Sequence, residues 1–341
     1  MRERKMIPLL SILAWAILSG SLARLATAQT VNKPGISHSR IAFVQASPQT
    51  PYGDIFTMNP DGTGIQQLTS LGPNNQANSE SWSADGEQFV FNEYPNFGIG
   101  QLWLMNSDGS NQHLLLAEAA DGDYSPSFSP DGKWVVFDRC PLALTVCAIY
   151  RMRTDGSNLT AVTSFQLEVT DYSPSYSPDG TTIAFFSYAR GGVLGAVYLT
   201  DPSGSNLRRV TPPVLGAYVP QWSTDGEKIT VIDHCCDPQN RDVWQVRRDG
   251  SDLSRLTGSA ATDLQLPVAY YDGNPSWSPD GRSVVFDQYL VSSNSNGIFV
   301  VKAGEGSSPP TPFLIRANAY SPKWGPVLDG LHNSALHTQR Q

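Results

Sequence analysis

The amino-acid sequence predicts an all-β fold in which small antiparallel sheets of four strands stand in a closed ring. Three observations lead there: a turn phrase that recurs, a strand signature that recurs with it, and two chain ends that complete each other. The turn phrase reads Ser83-Ala84-Asp85-Gly86, Ser129-Pro130-Asp131-Gly132, Ser177-Pro178-Asp179-Gly180, Ser223-Thr224-Asp225-Gly226 and Ser278-Pro279-Asp280-Gly281. Its Asp positions lie 46, 48, 46 and 55 residues apart, and a period in that range marks a repeat architecture.

Each repeat runs in the same order. An aromatic residue precedes the turn, as Trp82, Phe128, Tyr176, Trp222 and Trp277. Within Ser-Pro-Asp-Gly, proline presets φ at the first corner and Asp tolerates the second. Gly takes the left-handed conformation that lets the chain return. Then come β-branched and aromatic runs that read as strands: Phe89–Phe91, Trp134–Phe137, Ile183–Phe185, Ile229–Val231 and Val284–Phe286.

A third run pairs an aliphatic with an aromatic residue, as Ile55-Phe56, Leu102-Trp103, Ile149-Tyr150, Val197-Tyr198, Val243-Trp244 and Ile298-Phe299. Adjacent strand residues point to opposite faces, so this strand is apolar on both sides, as a sheet packed between two others requires. A second turn follows at Asp61-Gly62, Asp108-Gly109, Asp155-Gly156, Ser203-Gly204, Asp249-Gly250 and Glu305-Gly306. A fourth strand often ends in Leu-Thr or Val-Thr, as at Thr69, Thr163, Thr211 and Thr257. Four strands in roughly 40–50 residues is the blade of a β-propeller.

The ends argue for closure. The first unit lacks its opening strand and begins at Arg40-Ile41-Ala42-Phe43-Val44. The missing strand reappears as Tyr320-Ser321-Pro322-Lys323-Trp324, equivalent to Tyr124–Phe128. One blade built from both termini closes a ring of six and hides two otherwise sticky sheet edges. The predicted fold is therefore a six-bladed β-propeller over residues 40–326, with residues 29–39 as an N-terminal linker and 327–341 as a flexible tail.

These motifs resemble the TolB-type, WD-like propeller repeat, and the resemblance covers about residues 40–326. It implies the propeller part alone, without the α/β domain that precedes the propeller in TolB itself. Some similar stand-alone propellers are polysaccharide lyases with a His-rich metal site. The five histidines here, His38, His113, His234, His332 and His337, do not fall in the predicted channel-mouth loops.

Residues 1–28 read as a signal peptide. Arg2, Arg4 and Lys5 precede the apolar stretch Ile7–Leu18, and Ala26-Thr27-Ala28 fits cleavage before Gln29. An uncleaved anchor is the alternative, although the stretch is short of the ~20 residues a bilayer span needs. The expectation is a periplasmic or secreted, monomeric protein. Removing the segment takes away four basic residues and one acidic residue, leaving 19 basic against 30 acidic and a net charge of −11. An acidic chain without basic runs is unsuited to nucleic acid. A protein or peptide partner, cationic in particular, a metal ion or a neutral glycan fits better.

Four cysteines suit an oxidising compartment. Cys140 and Cys147 flank the loop between the second and third strands of the third blade, and a disulfide is expected there. Cys235 and Cys236 are adjacent within His234-Cys235-Cys236-Asp237, where a vicinal disulfide, pairing outside the chain and a metal site remain open.

The candidate site lies where the first strand of each blade enters the channel. Two residues before the channel proline, whose place Glu80 takes in the second blade, stand Asn78, Tyr124, Tyr172, Tyr218, Gly273 and Tyr320, and one residue earlier Ala77, Asp123, Asp171, Ala217, Asp272 and Ala319. Four tyrosines and three aspartates would ring one mouth, and tyrosine offers a flat face plus a hydroxyl to sugars and peptides. Asp123 and Asp171, from neighbouring blades, are candidates for Ca²⁺; no other cofactor is expected. The competing reading makes all seven blade spacers or turn caps. No Gly-x-Ser-x-Gly elbow or His-Glu-x-x-His helix is present. The first functional expectation is an exported, non-catalytic module that engages a protein or peptide partner. The alternative is a carbohydrate-active or other hydrolytic or lyase enzyme working at the channel mouth.

Overall fold

The computed structural model describes residues 39–327 apart from 48–49, 51, 117–120, 145, 191–194, 213–214, 234–239, 259–269 and 305–309. The expected signal peptide, most of the linker and tail, and Cys235 and Cys236 therefore lie outside the described residues. What is described is all-β, with six sheets each built on four antiparallel strands, one of which gains a short fifth strand. The innermost strands are Gln76–Trp82, Asp121–Phe128, Thr170–Tyr176, Tyr218–Trp222 and Tyr270–Trp277 in blades two to six. Blade one takes its innermost strand, Ala319–Trp324, from the far end of the chain. That strand pairs antiparallel with Ile41–Gln45, with Ile41 opposite Trp324 and Gln45 opposite Ala319. The ring closes as the sequence implies.

The turn phrase folds identically in its five copies. The serine Oγ donates to the Asp Oδ1 at 2.5–2.6 Å and accepts the N–H five residues on at 2.9–3.0 Å. The Asp Oδ1 also accepts the N–H two residues on, as from Lys133 to Asp131. One oxygen of each carboxylate is thus used up locally, Asp179 also taking Arg248 of the next blade through Oδ2 at 2.9 Å, and the serine hydroxyl holds Asp85 and Asp131 below the usual carboxylate range.

The Leu-Thr and Val-Thr endings also have a structural reason. Thr69, Thr163, Thr211 and Thr257 accept, through Oγ1, the N–H of Ile55, Ile149, Val197 and Val243 at 2.8–2.9 Å. The hydroxyl supplies the partner that a short outer strand fails to supply. Those outer strands are two residues long in blades one to five, and five residues, Phe313–Ala317, in blade six.

The core is made between sheets. The aliphatic member of each third-strand pair faces the following blade: Ile149 packs with Tyr176, Ile183 and Phe185 of blade four, and Val197 with Trp222 and Ile229 of blade five. The aromatic member faces the preceding blade, as Tyr198 does against Ile149. The last of these cores joins Val285 and Ile298 of blade six to Ile41, Phe43 and Trp324 of blade one.

Close approach of blades explains a glycine. Gly204 has φ +83°, and a Cβ there would stand 2.2 Å from the carbonyl oxygen of Val162 in the blade before. Gly204→Ala is expected to cost about 1–3 kcal/mol, read as a lowered urea midpoint at unchanged slope. An unchanged midpoint would mean that the two blades part freely.

The sequence reading did not anticipate one feature. Asn240–Arg241, in the loop of blade five, pairs parallel with Tyr270–Tyr271 at the start of blade six and adds a fifth strand to that sheet. The Cys140–Cys147 disulfide forms as expected, joining cysteines seven residues apart. Closing so short a loop contributes about 2–3 kcal/mol in the chain-entropy account.

Candidate functional site

Every innermost strand carries a bulge, around its proline in blade one and blades three to six and between Asn78 and Ser81 in blade two, which has no proline. In blade three Tyr124 stands opposite Asp138 and Ser127 opposite Val136, so one strand spends an extra residue. The residue before the proline is left-handed in five blades, at Ser125, Ser173, Val219, Asn274 and Ser321, with φ of 46–52°. Such a bulge turns the strand, so side chains above and below it face different surroundings.

Above the bulge sit the predicted aspartates, Asp123 and Asp171 closed in by their own blades and Asp272 by its own blade together with Thr257 of blade five. Asp123 is 1 % exposed and takes Arg139 through two bonds, Nε to Oδ1 at 2.7 Å and Nη2 to Oδ2 at 2.8 Å. Asp171 accepts the Ser187 hydroxyl at 2.5 Å and Arg190 Nη2 at 2.8 Å. Asp272 accepts Thr257 Oγ1 at 2.6 Å and Gln288 Nε2 at 2.8 Å. Burial lifts Asp123 and Asp272 above the usual carboxylate range, Asp272 well above it, despite these donors. The two carboxylates considered for Ca²⁺ thus already hold guanidinium groups. Among the described residues no cluster of three or more His, Cys, Asp or Glu side chains is arranged for a metal ion.

The four tyrosines are half-buried. Tyr124 lies against the backbone of Gly100, where a Cβ would stand 2.4 Å from its ring, and sits 5.8 Å from Tyr94 between ring centres. Tyr172 stacks on Phe186 at 6.3 Å, and Phe186 meets Tyr218 edge-on at 6.4 Å. Arg241, on the extra parallel strand, lies over Tyr218 and Tyr271 at 6.0 and 4.8 Å. The Tyr320 hydroxyl donates to the Tyr52 carbonyl at 2.8 Å. Burial pushes the Tyr218 hydroxyl up to about 12.

Below the bulge, an axial cavity of about 240 Å³ is lined by all six blades. Its polar lining comes from residues such as Ser127, Ser173, Gln221 and Lys323, with Trp82 and Trp324 at one side. None of the seven predicted tyrosines and aspartates lines it.

Sequence reasoning also missed a second set. Asn92, Asp138 and Asp287 occupy one repeat position, directly after the phenylalanine of the second strand. Asn92 Oδ1 accepts the N–H of Ser125 at 2.8 Å, and Asp138 Oδ1 that of Ser173 at 3.0 Å. Each anchors the bulge of the following blade. Asp138 also accepts the Ser125 hydroxyl, yet burial drives it up to about 7. Burial likewise takes Asp287, which holds Asn274 Nδ2 at 3.1 Å, up to about 6. A polar residue recurring inside an apolar strand was the available signal.

Comparison with known proteins places this architecture. The profile of the TolB beta propeller domain matches residues 29–328. Among solved structures, TolB from Acinetobacter baumannii is 20 % identical with a TM-score of 0.65, over 86 % of this chain and 68 % of that one. A putative TolB from Agrobacterium tumefaciens is 18 % identical with a TM-score of 0.61, over 86 % of this chain and 100 % of that one. A chain of a nidogen/laminin complex aligns at 11 % identity and a TM-score of 0.60, over 84 % and 98 %. No match was found among curated protein sequences. With the ring, the split blade and the repeat all in agreement, the chain belongs to the TolB beta propeller domain family.

Proposed function

We propose that the protein is an exported binding module that holds a protein or peptide partner of the cell envelope on the face where second strands pass into third strands. One observation carries the reading: apolar side chains stand exposed there over consecutive blades. They are Phe97 in blade two, Leu142 and Leu144 in blade three, Leu167 in the passage to blade four, and Tyr188 in blade four. Leu142 is 68 % exposed and Leu167 90 %. Such exposure on a rigid scaffold is characteristic of interaction surfaces. The Cys140–Cys147 disulfide closes the loop that carries Leu142 and Leu144, which reduces the ordering cost of docking. Among the described residues no helix is long and apolar enough to cross a membrane.

The test is capture from a native envelope extract by the chain from Gln29 onward, against a variant with Leu142, Leu144 and Leu167 all changed to Ser. The wild type is expected to retain a partner that the variant loses at least tenfold. A partner held equally by both proteins, or none held by either, sinks the reading.

A further inference from the structure

The axial cavity has a chemistry that the loop face does not share. On blades three, four and five it presents Ser127, Ser173 and Gln221, whose side chains make no hydrogen bond to described protein atoms. In a ring of six these blades stand opposite blades six, one and two. That opposite wall is committed: Asn274 Nδ2 donates to Asp287, Ser276 Oγ accepts the Trp324 N–H at 3.0 Å, and Trp82 Nε1 donates to the Lys323 carbonyl. Lys323 is also the one cation among the described lining residues, and it is already engaged with the Asp287 carboxylate.

What the cavity offers is one wall of unengaged hydroxyl and amide groups and another bearing indole surface. Water fills such a space readily, and a ligand displaces it with profit only if it reproduces the hydrogen bonds. A ring carrying several hydroxyls does so, and its C–H face lies favourably against an aromatic side chain. An anionic ligand would have to leave water and compete with Asp287 for Lys323, and a cationic one would leave water to meet that ammonium. Size narrows the class further. About 240 Å³ lies below the ~300–1,000 Å³ of ordinary ligand pockets, which suits one ring and excludes a chain of them.

We infer that the axial cavity binds a single neutral sugar ring or cyclic polyol, held by Ser127, Ser173 and Gln221 against the Trp82 side of the channel. This site is separate from the apolar loop face and does not depend on it.

The test is titration calorimetry of the chain from Gln29 onward with neutral hexoses and inositols, and with glucuronate as the anionic counterpart. Saturable binding of a neutral ring is expected, weakened at least tenfold in both Gln221→Ala and Ser127→Ala. The variant with serines at Leu142, Leu144 and Leu167 is expected to bind it unchanged, which separates this site from the loop face. Both cavity variants remove groups that hold no partner among the described residues, so thermal midpoints should match the wild type. Absence of saturable binding, binding that survives both substitutions, or tighter binding of glucuronate would each overturn the inference.

Discussion

Changing Trp324 to alanine is expected to lower the free energy of unfolding by about 3–5 kcal/mol, the usual cost of deleting a buried large aromatic. Trp324 is 7 % exposed and packs with Ile41, Phe43, Val285 and Ile298, so it belongs to the core joining blade six to blade one. Its Nε1 donates to Ser39 Oγ at 3.1 Å and its N–H to Ser276 Oγ. The substitution thus loses apolar contact and also leaves a buried hydroxyl without its donor. Because the split blade is the ring's only junction formed by distant chain ends, the loss should also reduce cooperativity. Urea unfolding followed by fluorescence and by circular dichroism checks this. Coincident, unshifted transitions would show that the junction contributes little.

Asp138→Asn is expected to do the opposite and stabilise the protein, increasingly so as pH rises. A carboxyl whose folded pKa exceeds its unfolded one keeps its proton in the native state where the unfolded chain has released it. Its contribution to stability is complete below about pH 4 and is lost as pH rises through its folded value of about 7. With roughly three units between those values and about 1.4 kcal/mol for each, the ceiling is about 4 kcal/mol at pH 8. Asparagine keeps the function of the side chain, because Asn92 already accepts the bulge N–H of Ser125 in the neighbouring blade. Wild type and variant should therefore unfold alike near pH 4 and diverge above it. Equal midpoints at pH 8 would mean that the Ser173 N–H and the Ser125 hydroxyl hold the carboxylate as well as water does. Asp287, lifted to about 6, acts in the same sense. The turn carboxylates Asp85 and Asp131, held low, contribute stability that is lost on acidification.

The parts of the fold that were legible before the structure are those decided within a few residues. Ser-Pro-Asp-Gly closes its own hydrogen bonds among Ser129, Asp131, Lys133 and Trp134, so its shape travels with the phrase. The aliphatic–aromatic pair is legible for the same reason, since strand alternation sends Ile149 to one neighbour and Tyr150 to the other. The candidate site was less legible. Strand alternation cannot be carried through a bulge, and each innermost strand has one between the predicted positions and the cavity. Tyr124 and Asp123 therefore end up packed within the blades, while Ser127, three and four residues on, reaches the axis.

Repeat length, blade number, strand order and the split first blade thus follow from the chain read as text, because turns and alternation are local and the ends carry complementary halves of one motif. Which side chains meet around the axis follows from ring closure instead. Trp324 finds Ser39, and Asp138 finds Ser173, only once six sheets have packed and each bulge has turned its strand. Those contacts are between residues far apart in sequence, and no local pattern encodes the rotation that brings them together.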